Sequence, residues 1–370
     1  MDFTVFYSSP EKDADLLHFG GFHAPDAFLA FEIDGKRRAV LSSLELSRGE
    51  RESRFDEVLP LEEIIEESGT GGDLAERILW LAREYGATRL RLPEDFPGRT
   101  AFALKEKGQF PLEFVDRPVC RDRLIKSVAE QEAIRRVNGV ISGAYSQVEK
   151  ILGESTVEGG ILIHEGAPLT SEALRSVIAV HCLREGCIAA GTIVAGGDQA
   201  CDPHEQGSGP LPAGQLIIVD IFPRDEQSGF FGDMTRTYLK GTANSDQRRL
   251  VNAVKEAQVR AIEGLETGVN GKDIHDGVTA YFDSQGFTTG RNERGYFGFF
   301  HGTGHGLGLE IHEEPRVSRT DYRLEAGMVT TVEPGLYFRG LGGCRIEDVV
   351  CIREGGSIFL SDHPYDWEIA

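Results

Sequence analysis

An α+β fold in two domains is the expectation for this chain, and three observations predict it. Helical and strand patterns arrive in blocks joined by hairpin signals, not in regular β-α-β alternation. A long helical period begins just after Arg121, where the texture of the sequence changes. The 370 residues also exceed what one hydrophobic core ordinarily serves. The expected domains are residues 1–120 and 121–370.

From Asp2 to about Pro118, strands alternate with helices. Ala27–Ile33, Asp34-Gly35 and Arg37–Ser43 read as a β-hairpin on an Asp-Gly turn. Leu61–Glu67 is a short amphipathic segment. In Asp73–Tyr85, Leu74, Ile78, Leu81 and Ala82 recur at helical spacing with Gly86 as a stop. Ala87–Leu92 reads as a strand. This half shows no dense polar constellation, so packing or substrate gating is its expected role, and His18 and His23 are expected to be loop histidines.

Beyond Arg121, Val128, Ile134, Val137, Ile141, Ala144, Val148 and Ile151 mark a helix from Ser127 to Leu152. A second helix covers Thr170–Glu185, with Thr170-Ser171 as cap and Gly186 as stop. A third is capped by Ser245 or Asp246 and runs through Ile262. A fourth spans Lys272–Ser284. Strands are expected at Ala189–Ala195, Leu216–Ile221, Met234–Leu239, Met328–Val332 and Ile346–Arg353. No tandem repeat of solenoid period is present.

The net charge of −21 argues against nucleic acid as a partner, because phosphate binding needs a basic face. The six cysteines form no CxxC pair and no zinc-finger spacing, which favours a reduced, cytoplasmic setting over a disulfide framework. The start, MDFTVFYSSPEKDADLL, has charges where a signal peptide needs an apolar core. No later run approaches the roughly 18 apolar residues of a membrane span.

Chemistry concentrates between Phe300 and Val350, where FHGTGHGLGLEIHEEPR, GMVTTVEPGLY and GGCRIEDVV carry His301, His305, His312, Glu333 and Glu347. Upstream, the apolar run Leu216–Val219 ends in Asp220, and Asp233 opens the alternating segment MTRTYL. A hairpin there can bring both aspartates to one side of a sheet. Alternation sets Arg345, Glu347 and Val349 on one side of the last strand and Ile346, Asp348 and Val350 on the other. Singly, each acidic residue has a structural explanation, as a turn residue or a strand end. If Asp220, Asp233, Glu333 and Glu347 converge, their repulsion requires raised pKa values or cations. Two divalent metals with one imidazole, His305, would satisfy them. A carboxylate-rich, single-nitrogen set suits Mn²⁺, Co²⁺, Fe²⁺ or Zn²⁺, with Mn²⁺ preferred. Two such ions hold and acidify a water, so hydrolysis is the natural reaction.

In order and spacing, VDIF…GDMTRT, HGTGHGLGLEIHE, TVEPGLY and RIEDVV resemble the motifs of the pita-bread metallopeptidases: aminopeptidase P, prolidase and, more distantly, methionine aminopeptidase. The resemblance covers Arg121 to the C-terminus, and the first half is similar to the smaller α/β creatinase-type domain of aminopeptidase P and prolidase. It implies hydrolysis of the bond between an N-terminal residue and proline in short peptides. By the same resemblance Asp220 binds one metal, His305 and Glu333 bind the other, and Asp233 and Glu347 bridge both. Glu333 also shuttles the proton of the nucleophilic water. His204, in CDPHEQGSG, and His312 match the histidines that orient the scissile carbonyl, while His301 matches one on the substrate side. Arg345 supports a carboxylate ligand, and Arg316, in EEPR, resembles the arginine that holds a dipeptide's terminal carboxylate. A homodimer is implied as well.

Two departures stand out. Phe222 occupies a position where the family has Gly, within an enlarged turn FPRDEQSGFFG, and EQGSGPLPAG lacks the basic turn of relatives. Both border the expected site and bear on substrate preference, including the choice between dipeptides and longer peptides. The alternatives on the same scaffold are a non-peptidase hydrolase and a non-catalytic binding protein; intact ligands argue against both.

Overall fold

In the computed structural model, which describes residues 1–370, Asp34 and Gly35 take φ of 54° and 74° and close a tight hairpin between strands Phe28–Ile33 and Lys36–Leu41. Positive φ at both central positions matches the right-handed twist of the flanking strands, which is why Asp-Gly occupies them. This hairpin sits within the first of two units, Met1–Arg123. Its six-stranded mixed sheet runs Glu57–Pro60, Lys36–Leu41, Phe28–Ile33, Asp2–Ser8, Arg89–Pro93, Leu112–Val115. The helix Leu74–Glu84 is capped by Asp73 and buries Ile78, Leu79, Leu81 and Ala82 with Phe3, Phe31 and Leu90.

The first unit does contain a polar constellation, contrary to expectation. Arg117 donates to Asp13 and Asp15 at 2.8 Å, and Arg123 lies 3.0 Å from Asp15, whose side chain is fully buried. Its members lie about a hundred residues apart in sequence, so no local motif announces them. His18 faces Asp122 at 3.2 Å.

The second unit, Leu124–Ala370, is α+β. A four-stranded sheet orders Ile193–Gly196, Ile217–Ile221, Met234–Lys240 and Glu368–Ile369; a five-stranded sheet orders Glu313–Val317, Gly304–Gly306, Val329–Val332, Asp348–Arg353 and Gly356–Phe359. Two helices cover each sheet. Val128–Glu154 and Ser171–Arg184 pack Val137, Ile141, Tyr145, Leu174 and Ile178 on Val194, Ile217, Val219 and Ile221. Ser245–Glu263 and Gly271–Ser284 pack Leu250, Val254, Val278 and Phe282 on Val332, Val350 and Ile352. No helix is long and apolar enough to cross a membrane.

Ser127 and Glu130 form a reciprocal capping box that starts the 27-residue helix. The third helix of this unit starts from Asn244, not from Ser245 or Asp246: its side chain accepts from the Asp246 and Gln247 amides, and Gln247 returns the bond. A side chain two to three positions ahead of the free amides is the one that reaches them. The strand expected from Ala189 begins at Ile193, because Gly191 takes φ 90° against the Phe222 ring. The strand expected over Ile346–Arg353 is interrupted: Gly342–Arg345 and Asp348–Arg353 belong to different sheets, and Ile346-Glu347 crosses between them.

Candidate metal centre

Asp220 sits within Ile217–Ile221, which pairs antiparallel with Met234–Lys240 so that Asp220 faces Thr235 and Ile221 faces Met234. Side chains alternate along a strand, so Asp233, two residues before Thr235, points to the same side as Asp220. The long helix fixes this hairpin. Tyr145 donates its hydroxyl toward the carbonyls of Val219 at 2.9 Å and Met234 at 2.6 Å, and Asn138 accepts from the Asp233 amide at 3.0 Å. Gly232 lets that helix approach, since a Cβ there would lie 2.9–3.0 Å from the side chains of Val137 and Asn138.

His305 stands between two glycines for an equally concrete reason. A Cβ at Gly304 would lie 1.9 Å from the Thr331 carbonyl, and one at Gly306 2.0 Å from the Glu314 carbonyl. The strand Gly304–Gly306 is thus pressed between its neighbours, and any larger residue would push His305 out of place. The His305 ring donates Nδ1–H to the Gly306 carbonyl at 3.1 Å, which leaves the Nε2 lone pair free. Nε2 lies 3.7 Å from Asp233 and 3.6 Å from Glu333.

Glu333 follows the buried strand Val329–Val332, and its amide donates to Thr303 at 2.8 Å. Glu347 enters at the crossing between sheets, held by its amide on the Thr235 carbonyl at 3.0 Å and by the Thr235 hydroxyl at 2.7 Å. Ligand atoms of Asp233, His305 and Glu347 all lie within 4.8 Å of one another.

Burial and mutual repulsion govern the protonation of this cluster. Burial, then Glu347 and Asp220, hold Asp233 well above the usual carboxylate range; burial, then Glu333 and Asp220, do the same to Glu347. Glu333 is pushed up to about 7, mainly by burial. His305 and His301 are both pushed down to about 3 by burial, so both rings are neutral at ordinary pH.

Arg345 is the one cation on the cavity wall. Its guanidinium donates to Asp220 at 2.8 Å and to the Tyr337 hydroxyl at 2.9 Å. That hydroxyl must then donate to His301 Nε2, 2.8 Å away, while His301 Nδ1–H donates to the Gly302 carbonyl at 2.7 Å. Both nitrogens of His301 are therefore occupied, and it meets the cavity through its ring. His312 packs edge-on to His305 with centroids 4.4 Å apart, and burial and Arg316 lower its pKa. His204 is exposed and lines the same cavity.

The cavity measures about 620 Å³. Asp220, Asp233, His305, Glu333, Glu347, His204, His301, His312 and Arg345 all line it. Arg316 does not: it is half-buried on the strand Glu313–Val317, opposite His305 in register, beside the cavity and off its wall. Sequence reading missed Thr235 and Tyr337, whose roles depend on partners 112 and 36 residues away. The alternation Asp233, Thr235, Thr237 was the available signal for the first; Tyr337 carried none. The apolar walls come from Ile193, Phe222, Phe300 and Ile311.

These residues fit divalent metal. Asp220 Oδ1 is buried without a hydrogen-bond partner, although its other oxygen holds Arg345. A buried carboxylate oxygen left bare costs several kcal/mol unless a cation meets it. With four carboxylates against one guanidinium, and a neutral imidazole aimed at their centre, the donor set is that of hard or borderline divalent ions.

Residues 132–354 match the family described as Metallopeptidase family M24. A 169-residue stretch is 39% identical to a Xaa-Pro dipeptidase of Pyrococcus furiosus and covers 45% of each chain, so the match spans about half the length of that curated relative. The X-Pro aminopeptidase from Thermotoga maritima superposes with TM-score 0.83 at 23% identity, over 100% of this chain and 98% of that one. The prolidase from Pyrococcus furiosus gives 0.78 at 26%, over 98% and 97%.

Proposed function

Because the chain belongs to metallopeptidase family M24, with the pita-bread fold of its solved neighbours, we propose that it hydrolyses the bond between an N-terminal residue and proline, using two divalent ions. The observation that carries this reading is the convergence of Asp233, His305 and Glu347, with Asp220 and Glu333, on one cavity. The substrate class comes from relatives named Xaa-Pro dipeptidase and prolidase. Prolyl bonds are tertiary amides without the N–H of an ordinary peptide bond, and so call for a dedicated site.

In this reading Asp220 would hold one ion, His305 and Glu333 the other, and Asp233 and Glu347 would serve both. The pair, when bound, supplies an acidified water and polarises the scissile carbonyl. Glu333 would accept and return the proton. His204 and His312, which line the cavity, would donate to the carbonyl oxygen as it gains charge. Arg345 holds Asp220 in orientation. His301 shapes the wall beside the substrate. Arg316, with no carboxylate partner in the chain, is available to a dipeptide's terminal carboxylate from beside the cavity.

Manganese as native metal, a homodimer, a cytoplasmic setting and a creatinase-type identity for Met1–Arg123 belong to the same proposal. Six buried free thiols agree with a reducing compartment. The test strips the protein with chelator, restores Mn²⁺, Co²⁺ or Zn²⁺ separately, and compares an Xaa-Pro dipeptide, an Xaa-Pro-Xaa tripeptide and an Xaa-Ala control. Metal-dependent turnover of the prolyl peptides alone is expected. Turnover of none, with any metal, would overturn the reading.

A further inference from the structure

A second, smaller depression of about 370 Å³ lies beside the cavity, lined by Asn292, Arg294, Tyr296, Phe297, Phe338 and Arg339. It is built on the hairpin of strands Gly290–Asn292 and Gly295–Phe297, in which Arg291 pairs with Tyr296. The Arg291 guanidinium lies 5.5 Å from the Tyr296 ring centroid. Arg291, Arg294 and Arg339 are all exposed, and none has a carboxylate partner, in a chain of net charge −21 whose arginines elsewhere are repeatedly ion-paired. Arg339 reaches only the backbone oxygen of Asp198, at 3.5 Å, while the Asp198 carboxylate accepts from the Gly340 amide. Glu293, exposed at the hairpin turn, is the one acidic residue in that turn, which leaves the rim positive.

The depression is joined to the catalytic cavity through aromatic rings. Tyr296 packs on Phe300 with centroids 5.9 Å apart, and Phe300 lines the cavity. The hairpin is further tethered where the Gly298 amide donates to the Tyr337 carbonyl at 3.0 Å. An extended peptide advances about 3.3–3.6 Å per residue, so the 5.9 Å between these two tilted rings corresponds to roughly two residues of substrate beyond the point where Phe300 meets the cavity.

We propose that Arg294 and Arg339, which line the depression, together with Arg291, which stands over Tyr296 beside it, form an anion-binding extension of the cavity for acidic side chains located two to three residues beyond the proline. This deepens the Xaa-Pro reading and rests on it for the position of the scissile bond. Guanidinium groups on aromatic faces suit carboxylates, and unpaired arginines on an acidic protein gather anionic ligands that the rest of the surface repels. The acidic peptide is thereby preferred, and the longer peptide over the dipeptide.

The test uses the metal-loaded full chain and C-terminally amidated pentapeptides Ala-Pro-Ala-Asp-Asp and Ala-Pro-Ala-Lys-Lys, plus Ala-Pro-Ala-Ala-Ala as amide and as free acid. Calorimetry with non-hydrolysable versions, in which CH₂–N (a methylene on the proline ring nitrogen) replaces the CO–N bond before proline, measures binding apart from turnover. The Asp-Asp peptide is expected to bind about tenfold tighter than the Lys-Lys peptide. The preference is expected to collapse in 1 M salt, where the Debye length is about 3 Å. It should collapse also in the triple variant Arg291→Gln, Arg294→Gln, Arg339→Gln, with an unchanged melting temperature as the check on folding. Equal affinities, no binding of either peptide, or a preference that survives the triple substitution would overturn the proposal. A free-acid preference without an Asp-Asp preference would do so too, since it would place the anion site at the peptide terminus. Binding preference without turnover of any peptide would sink the Xaa-Pro reading and leave the anion site standing.

Discussion

Glu333 offers a direct measure of how strongly the centre, stripped of metal, resists its own charge. Its pKa rises from an ordinary 4.5 to about 7 because burial disfavours the carboxylate. A carboxyl whose folded pKa lies above its unfolded one binds more protons when folded, so the metal-free protein loses stability as pH rises through that window. Each pKa unit corresponds to about 1.4 kcal/mol, which gives roughly 3 kcal/mol between pH 4.5 and pH 8. Only 18% of the side chain is exposed, so solvent screening takes little from that figure. His301 and His305, pushed down to about 3, act in the opposite sense, adding stability as pH rises from about 3 to 6.5. Comparison with Glu333→Gln isolates the carboxylate. The chain has two tryptophans, Trp80 in the first unit and Trp367 in the second, so a Trp80→Phe background makes Trp367 the reporter of the unit that carries the centre. In chelator, urea unfolding should find Glu333→Gln gaining about 3 kcal/mol on its parent between pH 4.5 and pH 8. Asp233 and Glu347 lose a repelling neighbour in the variant, which works in the same direction. A stability difference that does not change with pH would refute the placement of Glu333 among buried carboxylates.

Three further outcomes follow from the same geometry. Asp233→Ala or Glu347→Ala should lower bound metal, measured by elemental analysis, and cut kcat/KM by more than about 100-fold, beyond what losing a supporting partner costs; full activity with metal retained would remove them from the centre. Arg345→Met strands the Asp220 carboxylate and takes a donor from the Tyr337 hydroxyl, which keeps His301, and should cost about 3–5 kcal/mol in urea unfolding of the metal-free protein. Phe222→Gly removes a ring from the cavity wall and from its contact with Gly191. Its expected effect is a rise in kcat/KM for bulky N-terminal residues relative to alanine, and an unchanged ratio would show that Phe222 does not set that preference.

Reading the sequence went furthest where structure is local. The Asp34-Gly35 hairpin, the Ser127 and Thr170 caps and the helical faces of Val137, Ile141 and Val148 each depend on neighbours within a few residues. The Asn244 cap was displaced because several capping residue types stand in a row, and only the backbone conformation at Asn244 decides among them. The break at Ile346-Glu347 was invisible because alternation continues across it while the strands on either side join different sheets. The buried ion cluster of Asp13, Asp15, Arg117 and Arg123 could not be seen because its halves meet only after the chain has folded.

For the centre itself, sequence alone determined the inventory. Metal-ligand residue types stand in apolar or glycine-framed segments, where each alone has a structural explanation but all together do not, and their order carries the family resemblance. Tertiary structure decided what each group is free to do. Side-chain packing across 112 residues gives Glu347 its Thr235 donor, and a contact across 125 gives Asp220 its Arg345 partner while leaving Oδ1 bare. Of three histidines in one segment, His305 keeps Nε2 open, whereas His301 has both nitrogens tied by Gly302 and Tyr337. Arg316 shares a register position with His305, yet only His305 lines the cavity. The physical reason is the same throughout: residue type fixes which hydrogen bonds and charges a side chain can offer, and only packing fixes which of them remain unspent.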